Sequence, residues 1–143
     1  MYCTQQNLID RYGQSELIQL TDRPERIDPQ NAGAIDSTII SDAIARAEAR
    51  INRYLTAFLP LEAVPDDIRQ IACDFARYFL YKDMPTDHVA KQYDDGIAYL
   101  EKVAAGKIPL APDSSGAVEA KSNGGIEFQA ASQVITSDLL DQY

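Results

Sequence analysis

Asp36-Ser37-Thr38-Ile39-Ile40-Ser41-Asp42-Ala43-Ile44-Ala45-Arg46-Ala47-Glu48-Ala49-Arg50-Ile51-Asn52-Arg53-Tyr54-Leu55-Thr56-Ala57-Phe58-Leu59-Pro60 decides the fold class of this chain. Ile40, Ile44, Ala47, Ile51, Tyr54 and Phe58 recur at steps of three and four, the spacing that puts side chains on one side of an α-helix. Asp36 and Ser37 are suited to open that helix, and Pro60 is expected to end it. Arg46, Arg50 and Arg53 fall on the opposite face, with Asp42 four residues before Arg46 for an exposed ion pair. These three arginines are a solvated face or a stripe that binds another protein.

The same reading extends in both directions. Pro65-Asp66-Asp67 suits a helix start, since proline tolerates the first turn and carboxylates complement the positive end of the dipole. Ile68, Ile71, Ala72, Phe75 and Phe79 form the core side, and Tyr78 and Tyr81 add aromatic packing. Thr86 caps a further helix carrying Val89, Tyr93, Ile97, Leu100 and Val103, which Gly106 and Pro109 close. Gly96 weakens its middle but permits close packing. Upstream, Thr4 caps a short helix with Leu8, Ile9 and Tyr12 on one side, and Gly13 stops it in a left-handed conformation. A second turn runs through Leu17, Ile18 and Leu20, and residues 21–35 read as a loop because Pro24 and Pro29 break regular structure. The expectation is an all-α bundle of three main helices plus short N-terminal helical turns.

Periodicity fails from Lys107 onward, where prolines, serines and glycines interrupt every pattern. The chain therefore divides into a helical domain over 1–106 and an extension over 107–143. Residues 117–121 and 126–129 flank Ser122-Asn123-Gly124-Gly125 as a β-hairpin spanning 117–130, although two isolated strands are marginal in water and need a partner's surface. Val118, Ile126 and Phe128 in that hairpin, with Leu139, Leu140 and Tyr143 at the end, join Arg46, Arg50 and Arg53 as candidate protein-interface residues.

Composition narrows the function. With 143 residues the chain can bury a core without staples. A formal charge of -9 and a pI near 4.4 oppose a phosphate-neutralising surface, so sequence-specific nucleic-acid binding is not expected. The chain shows neither a signal-like start nor an apolar run long enough to span a bilayer, and cytoplasmic synthesis without membrane association is expected. Cys3 and Cys73 are far apart in sequence and read as reduced structural residues. His88 is the single histidine, so any triad or metal site would have to be built around it, and no partner pattern appears. Asp66-Asp67 and Asp94-Asp95 are adjacent carboxylates that diverge by about 100° on a helix and do not converge on an ion. No catalytic residue, metal ligand or cofactor is expected.

One resemblance adds a function. Met1-Tyr2-Cys3-Thr4, then Asn7-Leu8-Ile9-Asp10-Arg11-Tyr12-Gly13, then Glu16-Leu17-Ile18-Gln19-Leu20-Thr21-Asp22 closely resembles the start of a family of Mu-like phage and prophage head morphogenesis proteins. Those begin Met-Tyr-x-Thr, Asp/Asn-Leu-Ile-x-Arg-Phe/Tyr-Gly and Glu-Leu-x-Gln-Leu-Thr-Asp. Residues 45–55, Val64-Pro65, the stretch from Ile71 to Tyr78 and Gly124-Gly125-Ile126-Glu127-Phe128 resemble its later segments in order, while the ending over 137–143 departs from the family's basic, glycine-containing form. The resemblance implies a head-tail connector or head-completion protein of the virion neck, present in host cytoplasm during assembly. Its implied partners are the portal protein and tail-proximal neck proteins, and its implied assembly is a ring, twelve-fold in the related connectors. The alternative from a different class is a cytosolic helical adaptor or regulator that binds one protein partner through the arginine face. An enzyme built around His88 is the third option.

Overall fold

A computed structural model describes residues 1–23, 33–113 and 116–118. Five helices, α1 (Gln5–Tyr12), α2 (Gln14–Thr21), α3 (Ser37–Tyr54), α4 (Asp66–Leu80) and α5 (Asp87–Ala104), precede strands β1 (Leu110–Asp113) and β2 (Gly116–Val118). The helices pack as the all-α bundle expected from the stripes. α3 and α4 share the widest contact, α5 lies against both, and α1 and α2 form an N-terminal arm across them.

Local chemistry explains most boundaries. Thr4 and Asn7 form a reciprocal capping box at the start of α1, each side chain accepting from the other's backbone N–H. Asp36 accepts from Thr38 and Ile39 N–H to start α3, and Thr86 accepts from Val89 N–H to start α5. At the far end of α5 the Gly106 and Lys107 N–H groups donate to the Val103 and Lys102 carbonyls. Gly106 takes φ +70° to permit this, a conformation a Cβ disfavours. Gly13 also has positive φ (87°), but its ψ of 148° makes it extended rather than left-handed helical. It leads directly into α2, a full two-turn helix where the sequence suggested a turn, so the expected loop begins only after Thr21. The Thr21 hydroxyl donates to the Leu17 carbonyl at 2.8 Å and accepts from Asp36 N–H at 3.2 Å, which ties the end of α2 to the start of α3.

Three expectations are corrected. α3 ends at Tyr54, not at Pro60. Leu55 turns inward as its fully buried C-cap, and a 3-10 turn at Thr56–Phe58 delivers Phe58 to the rim of the core from outside the helix. Asp42 and Arg46 form no ion pair among the described residues, because the Arg46 guanidinium lies over the Phe79 ring, 4.6 Å from its centroid. Leu110 lies in the extension by sequence, yet it is fully buried and belongs to the main core cluster. β1 pairs antiparallel with β2, Leu110 opposite Val118 and Asp113 opposite Gly116. The hairpin expected over 117–130 otherwise lies outside the described residues.

The core centres on Phe75, which is fully buried with Leu8, Leu17, Ile40, Ile51, Leu55, Ile68, Leu80 and Leu100. α5 reaches it at Gly96, where an added Cβ would stand 2.6 Å from Phe75 Cε1 and 3.3 Å from Ile71 Cγ2. A glycine inside a helix costs about 1 kcal/mol relative to alanine, so Gly96→Ala on an open helix face would stabilise. Here the ring cannot move aside, and overpacking of this kind costs about 1–3 kcal/mol. Gly96→Ala is therefore expected to lower stability by about 1 kcal/mol or more in urea denaturation, and Phe75→Leu to cost less in the Gly96→Ala chain than in the parent, the coupling a double-mutant cycle reads. A neutral or stabilising Gly96→Ala would show that the helices are less closely apposed.

Candidate protein interface

Two side-chain assemblies stand out once the helices are packed. The first lies along the seam of α3, α4 and α5. Tyr78 and Phe79, consecutive near the end of α4, both meet Tyr93 of α5. The Tyr78 and Tyr93 rings stack at 4.1 Å with an interplanar angle of 19°. Phe79 meets Tyr93 edge-on at 5.8 Å, and Phe75 joins from the core side at 4.7 Å. Phe79 and Tyr93 are half-buried, so the cluster runs from the core to the surface. Arg46 covers Phe79. Burial raises the pKa of the Tyr93 hydroxyl, while the Arg50 charge opposes that rise. Arg50 and Arg53 are exposed, and neither side chain makes an ion pair or hydrogen bond among the described residues.

The arginines thus do not lie opposite the core, as the sequence reading placed them. Arg46 and Arg50 flank the seam, because residues 46, 50 and 53 stand roughly 90–150° around the helix from the stripe at 40, 44, 47 and 51. Arginine beside half-buried tyrosine and phenylalanine is the composition enriched in the centres of protein interfaces. Of the other expected interface residues, Val118 is placed in β2 opposite Leu110, whereas Ile126, Phe128, Leu139, Leu140 and Tyr143 lie outside the described residues.

The second assembly joins the arm to α4. The Tyr12 hydroxyl donates to Asp74 Oδ1 at 2.5 Å, and Arg11 Nε lies 3.6 Å from the same oxygen. Arg77 Nε donates to Glu16 Oε1 at 2.7 Å, and its guanidinium sits 4.5 Å from the Tyr12 ring centroid. Asp74 is only 7% exposed, and a buried carboxylate left without partners would cost several kcal/mol. The sequence held a signal for this site: Asp74 interrupts the apolar arc of Ile71, Ala72 and Phe75. Its partners came from 62 residues away and could not be read from spacing.

The chemistry gathered here is that of recognition and packing. His88 is exposed near the start of α5. Asp66 pairs with Arg69 and Asp95 with Lys91, each within its own helix. A cleft of about 320 Å³ between α4 and α5 is lined by Asp67, Asp74, Asp95 and Tyr99 among others. No group of three or more His, Cys, Asp or Glu side chains placed to hold a metal occurs among the described residues. No helix among them is long and apolar enough to cross a membrane.

Burial, followed by the hydrogen bond to Asp74, holds the Tyr12 pKa well above the ordinary tyrosine value of 10.0. A raised folded-state value means that its contribution to stability is complete below about pH 10 and is lost as pH rises past it. Tyr12→Phe should cost about 1–2 kcal/mol near pH 8, by leaving Asp74 short of a donor. That gap to the parent should narrow above about pH 10, Tyr2 and Tyr93 being common to both chains. Urea midpoints of the two chains across that range check it, and a constant gap would contradict the Tyr12–Asp74 bond.

Sequence matches to known proteins run across nearly all of the chain. The family described as Bacteriophage Mu, Gp36 matches residues 2–128. Mu-like prophage FluMu protein gp36 of Haemophilus influenzae is 34% identical over 134 residues, covering 92% of this chain and 91% of the relative. Gene product J of Escherichia phage Mu is 31% identical over 131 residues, covering 90% and 89%. With the arm, the α3–α4 pair, α5 and the paired strands all inside the matched span, this chain belongs to the Bacteriophage Mu Gp36 family.

Proposed function

We propose that this phage protein is a head-tail connector component, a head-completion protein of the virion neck that docks as an oligomeric ring below the portal and acts by assembly, without catalysis. The observation that carries the reading is the family match, which runs from the opening motif through residue 128 and bears out the resemblance to a Mu-like phage family. The fold is consistent with it: the helices and Leu110 of β1 close one core among themselves. Residues 119–143 include Ile126, Phe128, Leu139, Leu140 and Tyr143, apolar area that a portal or neighbouring neck protein would bury. Adding a strand or an apolar segment to a partner's surface gains main-chain pairing and burial at the cost of ordering entropy.

The second reading, an adaptor binding one protein partner through the arginine face, draws on exposed Arg50 and Arg53 beside the Tyr78–Tyr93 stack. Co-sedimentation with tailless, portal-containing heads separates the two, with portal-deficient heads as control. The structure sets the truncation: a chain ending after Val118 keeps buried Leu110, which a cut at residue 107 would remove from the core. In the connector reading the parent and Arg50→Glu pellet with portal-bearing heads only, and the truncated chain binds at least about tenfold more weakly, equivalent to 1.4 kcal/mol. Loss of binding in Arg50→Glu with retention in the truncated chain would favour the adaptor. Absence of binding to either kind of head, well above micromolar concentration, would sink the connector reading.

A further inference from the structure

Cys3 and Cys73 are separated by 70 positions in the chain, yet their Sγ atoms lie 2.9 Å apart in the interior. Cys3 precedes the Thr4 cap of α1, and Cys73 sits in the middle of α4. Both are free thiols, 1% and 3% exposed. An approach of about 1 Å would bring them to the disulfide bonding distance of roughly 2.05 Å.

The surroundings favour chemistry as well as contact. Cys73 lines an open polar cleft of about 380 Å³ together with Asn7, Asp10, Arg11, Arg69 and Gln70. A small oxidant entering that cleft meets Cys73 first. The hydrogen bond with Cys3 holds the Cys73 thiol below its ordinary range, opposed by burial and by the Asp74 charge and helped by the Arg11 and Arg69 charges. Cys3 is held above it, by the same hydrogen bond and by burial. Cys73, the one of the two that lines the cleft, is the thiol an oxidant reaches, and Cys3 is the resolving partner 2.9 Å away.

We propose that Cys3 and Cys73 form an oxidisable dithiol, which a peroxide closes into a disulfide that fastens the N-terminal arm to α4. The Cys73 thiolate attacks one oxygen of hydrogen peroxide and the O–O bond breaks. Cys73 becomes a sulfenic acid, and the departing hydroxide takes a proton to leave as water. Cys3 sulfur then attacks the Cys73 sulfur, the S–O bond breaks, and the Cys3 proton leaves with the hydroxide as a second water. Two thiols lose two electrons and one peroxide gains them. In a reducing cytoplasm the pair stays open, and in an oxidising medium it locks. The arm consequently has a releasable and a fastened state. None of this draws on the connector reading.

The test uses the full chain, fully reduced, desalted and treated with hydrogen peroxide under non-denaturing conditions. The expected product is monomeric on a non-reducing gel, has lost both titratable thiols and roughly 2 Da of mass, and yields a Cys3–Cys73 linked peptide on digestion. Closing a loop of this length restricts the unfolded chain, so Tm should rise on the order of 10 °C. Dithiothreitol should reverse the rise, and Cys3→Ser should show none. The mass reading on the parent stands whether or not Cys3→Ser folds normally. Recovery of free thiols, of sulfinic acids without a link, or of cross-links only between chains would overturn the dithiol. A link that leaves Tm unchanged would overturn its fastening of the arm.

Discussion

The Phe75 ring of α4 sits at the seam with α5, which can approach it only where residue 96 carries no side chain. That close approach sets the register of the bundle. With Gly96 against Phe75, Tyr93 falls one turn earlier onto Tyr78, and Leu100 and Val103 fall one and two turns later into the core. The helical cost of a mid-helix glycine, about 1 kcal/mol, is small beside burial of a phenylalanine side chain, roughly 1.5–3 kcal/mol. The aromatic seam and the position of the arginines beside it follow from the same approach. If α5 slid by one residue, Tyr93 would turn away from Tyr78, and the seam would lose the ring that joins its core side to its surface side.

Side-chain period made most of this legible. Stripes at three and four residue spacing located α3, α4 and α5, and Thr4, Asp36 and Thr86 marked the starts of α1, α3 and α5 because short polar caps act on the next turn alone. Helix ends were less legible. Phe58 kept the α3 stripe in sequence, but the backbone had already left the helix, and an apolar residue can reach the same core from a 3-10 turn. Pro109 was a valid sign that α5 had ended, yet it said nothing of where the extended chain would go, and Leu110 went back into the core. The arginine face was misplaced at Arg46 and Arg50, which meet Phe79 and Tyr93, since a stripe defines the buried side and leaves the flanks to neighbouring helices.

Contacts between distant parts of the chain were invisible to spacing. Tyr12 with Asp74, Glu16 with Arg77 and Cys3 with Cys73 each join the first two helices to α4 across 61 to 70 positions. Each member, taken alone, had an ordinary reading: a core aromatic, a surface charge, a small buried thiol. Only packing turned Asp74 from a blemish in an apolar arc into a buried acceptor with a hydroxyl and a guanidinium facing it.

Those same contacts give a physical reason for the order of motifs along the chain. An α4 carrying Asp74 toward the interior is costly until something supplies donors, because a desolvated carboxylate must be partnered. The partners are the Tyr12 hydroxyl, which donates, and the Arg11 charge, both in the Leu-Ile-x-Arg-Tyr-Gly stretch of the opening motif. The Leu8 of that stretch is fully buried, and Gly13 reverses the chain so that Glu16 of the next helix can meet Arg77. The opening motif and the 71–78 segment are therefore two halves of one joint. Each half is made of common residue types, and the joint forms only when both are present in the right faces of their helices. Order along the chain, rather than any single residue, is what the arm and α4 require of each other.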